Sequence, residues 1–98
     1  MASEDGLRRL RLSFEGEVQG VGFRWTARKV ANEIGATGWV RNEWDGSVSM
    51  ELQGTDNQIA RFFGMMSHAW GRYQPSYVIA DKEEIAVVAD EYSFRVRF

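Results

Sequence analysis

The sequence predicts an α+β fold of the ferredoxin-like split βαβ type: a βαββαβ sandwich whose antiparallel sheet of four to five strands carries two helices on one face. Three observations lead there. Apolar and polar residues alternate over several short segments, as in strands with one buried face. Two longer segments carry the i, i+3, i+4, i+7 spacing of amphipathic helices. These segments follow one another as strand, helix, strand, strand, helix, strand, with a further strand at the end. At 98 residues there is material for one core, so a flexible tail over 1–6 and a single domain over 7–98 are expected.

The first strand is marked by Leu10, Leu12 and Phe14 alternating with Arg9, Arg11, Ser13 and Glu15, which places those polar residues on its open face. The glycine-rich stretch Gly16 to Gly22 follows. The first helix begins near Arg24, buries Ala27, Val30, Ala31 and Ile34, and ends at Gly35, the residue type suited to a left-handed cap. Thr37 to Asn42 forms the second strand. Asp45-Gly46 turns the chain into a third strand, where Val48, Met50 and Leu52 alternate with Ser47, Ser49 and Glu51 and Gly54 closes the run. Thr55 and Gln58 have capping-box spacing at the start of the second helix, whose stripe is Ile59, Phe62, Phe63, Met66 and Trp70. Gly64 inside it costs up to about 1 kcal/mol relative to Ala, so the stripe and not propensity holds this helix. Gly71 to Ser76 reads as a loop, Tyr77 to Ala80 as a fourth strand and Lys82-Glu83-Glu84 as a charged turn. Residues 85–89 fit strand or loop, and Phe94, Val96 and Phe98 alternate with Ser93, Arg95 and Arg97 in a last strand. Trp70, Tyr73 and Tyr77 are expected to form a local aromatic cluster.

Composition narrows the chemistry. Twelve Lys and Arg against fourteen Asp and Glu give a net charge of −2, which argues against a nucleic-acid coat or a polybasic membrane anchor. With no cysteine, disulfide staples, thiolate catalysis and zinc-thiolate sites are excluded; with His68 as the one histidine, so is a multi-histidine metal site within one chain. No apolar run approaches the ~20 residues of a membrane span, and the first residues lack a secretory pattern. A cytoplasmic protein is expected.

In the split βαβ topology the first two strands run parallel with the third between them, so their C-terminal ends share one edge of the sheet. Glycines at 20 and 22 let successive amides face one concavity, and the first turn of the helix points its unpaired N–H groups into the same space. Arg24 adds a planar cation that matches two phosphate oxygens, and Asn42 brings a carboxamide to the same edge. Taken alone, such a turn serves either to bind an anion or merely to pack tightly. It is neither a Walker loop, which needs Gly-Lys-Ser/Thr, nor a dinucleotide fingerprint, which needs a third glycine.

Gly16-Glu17-Val18-Gln19-Gly20-Val21-Gly22-Phe23-Arg24 resembles the signature of the acylphosphatase family, and Gly38-Trp39-Val40-Arg41-Asn42-Glu43-Trp44-Asp45-Gly46-Ser47-Val48 resembles its second signature. Both occur in the family's order and spacing, with Gln53-Gly54 after them as in the family. The resemblance implies hydrolysis of acyl phosphates to carboxylate and inorganic phosphate, with no metal, no other cofactor and no covalent intermediate. It implies that Arg24 binds the phosphoryl group, that Asn42 orients the water, and that Val18, Gln19, Gly20, Val21, Gly22 and Phe23 form the backbone cradle. Trp25 replaces the Tyr or Phe more frequent in the family, and Gly71 to Ser76 replaces a short Gly-Pro turn.

The residues on their own terms agree with that chemistry. The edge holds no side chain suited to be a nucleophile, so water attacks. A carboxamide can hold a water in line but is no strong base. A carboxylate leaves without a general acid, whereas the alkoxide of a phosphate monoester needs one, so acyl phosphates suit this site and monoesters do not. Inorganic phosphate and sulfate are expected to compete. His68 reads as structural or solvated, Glu17 as pointing away from the anion, and Arg28, Lys29 and Arg41 as surface charges. The exposed positions Arg11, Ser13, Ser47, Ser49 and Glu51 lack the aromatics of an RNA-binding sheet. A monomer without nucleic-acid or membrane partners is expected. The alternative reading is a regulatory module of the same fold that binds phosphate or acyl phosphate without turnover.

Overall fold

The computed structural model describes residues 6–16, 18, 19, 22–71 and 77–98. Its elements run β1 (Leu7–Gly16), α1 (Phe23–Ile34), β2 (Thr37–Asn42), β3 (Val48–Thr55), α2 (Asp56–Gly71), β4 (Tyr77–Ile85) and β5 (Phe94–Arg97). The sheet order is β4-β1-β3-β2-β5. β3 pairs antiparallel with β1 and with β2, so β1 and β2 run in the same direction with β3 between them. This is the ferredoxin-like arrangement, with one addition: β5 joins the edge parallel to β2, so the fifth strand makes the sheet mixed.

Both helices pack on one face of the sheet. The core holds Leu10, Leu12 and Phe14 from β1, Val40 from β2, Val48, Met50 and Leu52 from β3, with Phe23, Ala27, Val30, Ala31 and Ile34 from α1 and Ile59, Phe62 and Met66 from α2. Each large side chain fully removed from water contributes about 1.5–3 kcal/mol, so this layer supplies the main driving force. Phe94 brings β5 into the same layer, its ring 6.3 Å from Phe62. The α2 start carries the expected reciprocal box: Gln58 N–H donates to Thr55 Oγ1 at 3.2 Å, and Thr55 N–H donates to Gln58 Oε1 at 2.9 Å. Gly35 ends α1 in the left-handed conformation, at φ 80°.

Gly38 has a different necessity. At φ 136°, a Cβ built there would stand 1.8 Å from the Glu51 carbonyl oxygen of the neighbouring strand. Only glycine lets β2 and β3 approach at this point.

Several expectations are corrected. Lys82-Glu83-Glu84 is not a turn: β4 continues through it to Ile85, because β1 offers Arg8 and Arg11 to Glu84 and Glu83 at 2.7 Å across the pair. Residues 86–89 lie beyond the strand. Arg9 is not on an open face; it is 2% exposed. The segment between β4 and β5 crosses over it, held by Glu91 Oε1 at 2.7 Å from Arg9 Nη1 and by two 2.9 Å hydrogen bonds between the Gln53 carboxamide and the Val88 backbone. Ser47, also expected to be exposed, is buried just before β3 and donates its N–H and hydroxyl to Asp45 Oδ1. Of the loop expected over Gly71 to Ser76, Gly71 still belongs to α2; residues 72–76 lie outside the described residues, as do the expected tail over 1–6 apart from Gly6 and the side chains of Trp70, Tyr73 and Tyr77.

Candidate active site

Strand register sets the site. Val48 of β3 pairs with Phe14 of β1 on one side and with Asn42 of β2 on the other. The chain therefore leaves β1 toward α1 at the edge where β2 ends.

In the β1–α1 connection, Val18 is buried and its N–H donates to the Gly16 carbonyl at 3.0 Å, so that amide is engaged within the turn. Gln19 turns its side chain toward the β2–β3 hairpin and donates through Nε2 to the carbonyls of Glu43 and Ser47, both at 2.7 Å. Gly20, Val21 and Glu17 lie outside the described residues. Gly22 is the N-cap of α1 at φ 85°; nothing crowds the position of a Cβ, so conformation and not space favours glycine there.

The first intrahelical bond is Thr26 N–H to the Gly22 carbonyl at 3.0 Å. Among the described residues no side chain caps the helix start, and no acidic residue sits in the first turn, so the dipole's positive end there favours an anion. Phe23 is buried against Phe14, ring centres 5.2 Å apart, and fixes the helix start on the sheet. One residue later, Arg24 is half-buried. Its Nη1 donates to the Arg97 carbonyl at 3.4 Å and its Cζ lies 5.0 Å from the centre of the Phe98 ring.

Across the edge, a pocket of about 500 Å³ is lined by Arg41, Asn42, Glu43, Trp44 and Phe98. Asn42 closes β2, and its Oδ1 is buried without a hydrogen-bond partner. An acceptor in that condition calls for a donor, and a water supplies one. Arg24 is not in the pocket wall; it adjoins the pocket through the Phe98 ring. Hydrogen bonds from Ser49 and then from Arg41, whose Nε lies 3.0 Å away, hold the Glu43 carboxyl below its usual range. Glu43 therefore faces the pocket as a paired anion, not as a proton donor.

The other sequence candidates fall as follows. Arg41 also stands 5.4 Å over the Trp39 ring, with Arg97 at 4.7 Å from the same ring. Arg28 lies 5.8 Å from the Trp25 ring, a surface contact. His68 is exposed and lines a separate groove between the helices with Thr26, Lys29 and Met65. Among the described residues no three His, Asp or Glu side chains are grouped to hold a metal ion, and no helix is long and apolar enough to cross a membrane.

Sequence reasoning missed three features at this edge: the Gln19 tether, and the rings of Trp44 and Phe98. The signal for Trp44 was present, since a tryptophan inside a polar hairpin turn has no core to enter.

Comparison with known proteins gives one result. The acylphosphatase family model matches residues 10–95. The acylphosphatase of Thiobacillus denitrificans is 38% identical over 87 residues, covering 89% of this chain and 92% of that protein. The crystal structure of the Bacillus subtilis acylphosphatase superposes with a TM-score of 0.73 at 26% identity, over 93% of this chain and 99% of the other. An acylphosphatase structure from Coxiella burnetii superposes with a TM-score of 0.70 at 29% identity, over 96% of each chain.

Proposed function

The chain belongs to the acylphosphatase family, and from that premise we propose that Arg24 holds the phosphoryl group of its substrate while Asn42 places the attacking water. The protein is an acylphosphatase: it hydrolyses the carboxyl–phosphate bond of small acyl phosphates to a carboxylate and inorganic phosphate. The observation that carries the division of roles is the placement of Phe98, whose ring adjoins the Arg24 guanidinium and lines the same pocket as Asn42.

In the proposed reaction the guanidinium and the amides at the start of α1 bind the non-bridging oxygens. Asn42 Oδ1 accepts a hydrogen bond from the water and aims its oxygen at phosphorus. The new P–O bond forms as the bond from phosphorus to the acyl oxygen breaks. One proton of the water stays on the entering oxygen; the other passes to a non-bridging phosphoryl oxygen or to the departing carboxylate. Charge stabilisation and alignment supply the rate, since the loose transition state asks for little acid–base work. No metal takes part in this scheme. A monomeric state and a cytoplasmic location belong to the same reading.

Hydrolysis of benzoyl phosphate in ¹⁸O-water, with and without EDTA, tests it. The label is expected in inorganic phosphate, at the same rate with chelator. Label in benzoate would place the attack at carbon and overturn the scheme; loss of rate with EDTA would overturn its independence of metal.

A further inference from the structure

Two contacts of the Arg24 side chain come from the far end of the chain. Its Nη1 donates to the Arg97 carbonyl at 3.4 Å, and its Cζ lies 5.0 Å from the centre of the Phe98 ring. The strand that delivers them, β5, has four residues and sits at the edge of the sheet. It pairs on one side only, with β2, from Gly38–Phe94 to Arg41–Arg97. So short an edge strand frays unless something besides its ladder holds it.

Asn32 of α1 supplies that hold. Its Nδ2 donates to the Phe94 carbonyl at 3.2 Å, and its Oδ1 accepts from the Phe94 N–H at 2.9 Å. A carboxamide has a donor end and an acceptor end, and here both engage the backbone of one residue. Asn32 is exposed and asparagine is a weak helix former, so neither burial nor propensity accounts for it there. The paired hydrogen bonds do. From the core side the buried Phe94 ring, 6.3 Å from that of Phe62, anchors the same point of β5.

Asn32 and Arg24 lie on one helix, eight residues apart, which is roughly 12 Å along its axis. Phe94 to Arg97 covers about 10 Å of strand. Helix and strand are thus tied at two points over similar lengths, Asn32 to Phe94 at one and Arg24 to Arg97 at the other. We infer that Asn32 is a positioning residue for the reaction. By fixing β5 against α1 it sets where the Arg97 carbonyl and the Phe98 ring stand, and through them it orients the Arg24 guanidinium for the phosphoryl group. The inference deepens the role proposed for Arg24 and rests on it.

Steady-state kinetics on benzoyl phosphate, with inhibition constants for inorganic phosphate, tests it in wild type, Asn32→Ala, Arg24→Ala and the double variant, each below its melting temperature. Asn32→Ala puts a better helix former at an exposed position, so α1 persists. It is expected to raise both KM and the phosphate inhibition constant about fivefold and to leave kcat within about threefold. A residue that acts through Arg24 has nothing to act on once Arg24 is gone, so the double variant should match Arg24→Ala within about twofold. A full further fivefold loss in the double variant overturns the inference. So do wild-type KM and inhibition constant in Asn32→Ala, whatever its melting temperature. The Arg24 Nε–H resonance in ¹⁵N–¹H spectra, assigned by its loss in Arg24→Lys, reads the coupling without substrate. It is expected to move toward that of free arginine in Asn32→Ala; an unmoved resonance overturns the inference. Phosphate inhibition unaltered in Arg24→Ala would instead count against the assignment of the phosphoryl group to Arg24, with the Nε–H resonance still deciding whether Asn32 orients that side chain.

Discussion

The Gln19 side-chain amide donates to the Glu43 carbonyl at 2.7 Å and thereby ties the β1–α1 loop to the hairpin that follows Asn42. A second 2.7 Å bond to the Ser47 carbonyl completes the tie. The elements proposed to bind the phosphoryl group and the water come from different parts of the chain, and this side chain links them. Gln19→Ala is therefore expected to lower kcat/KM on benzoyl phosphate about tenfold or more, since small misplacements of reacting groups are costly. Its stability loss in urea should be only about 1–2 kcal/mol, the worth of two ordinary hydrogen bonds. Unchanged kcat/KM would show that the tie does not position the site.

The pH profile provides a second check. A guanidinium keeps its charge and a carboxamide has no proton to lose near neutrality. Glu43, the titratable side chain in the pocket wall with a depressed pKa, stays ionised above its ordinary range. The kcat for benzoyl phosphate is expected to be nearly flat from about pH 5.5 to 8, and the His68→Ala profile should superpose on it. A bell-shaped profile abolished in His68→Ala would contradict the mechanism.

Stability in acid depends on Arg9. Burial opposes ionisation of Glu91, but hydrogen bonds from Arg9 and Thr37, with the charges of Arg9 and Arg95, together outweigh it, and its pKa falls below the ordinary value. A depressed carboxyl stabilises the fold fully above its unfolded pKa and loses that contribution as pH falls through the folded value. Unfolding free energy should therefore decline below about pH 4.5, less steeply in Glu91→Gln. Arg9→Ala leaves Glu51 and Glu91 without their shared partner and should cost about 3–5 kcal/mol at neutral pH. Urea unfolding of the two variants at pH 7 and pH 3.5 measures both effects; an Arg9→Ala loss under 1 kcal/mol would deny the cluster its role.

Gly38→Ala tests the close approach of β2 and β3. Its Cβ would meet backbone, the Glu51 carbonyl, and not a side chain that can swing away. A loss of about 3 kcal/mol, or failure to fold, is expected by thermal melting. A variant as stable as the wild type would mean that the strands can separate there without cost.

The fold was legible because its periods are unambiguous: Leu10-Leu12-Phe14 can only be a strand face, and Ala27 to Ile34 only a helix face. The candidate site was suggested by glycine spacing, Arg24 and Asn42, residue types that carry chemistry wherever topology brings them together. Less legible were features that depend on crossing segments. Arg9 reads as solvent-facing until Glu91 and Val88, some eighty residues further along, are laid over it. Lys82-Glu83-Glu84 reads as a turn because strand propensity disfavours it, and cross-strand pairing with Arg8 and Arg11 overrides that preference. Phe98 reads as one more alternating strand residue; nothing local tells that its ring faces Arg24.

The central claim is that Asn42 acts on the water and Arg24 on the phosphoryl group. The most direct measurement is kcat of Asn42→Ala on benzoyl phosphate, paired with its inhibition constant for inorganic phosphate. A fall of about 10²–10³ in kcat with phosphate inhibition preserved is the predicted result, whereas turnover equal to that of the wild type would contradict the assignment.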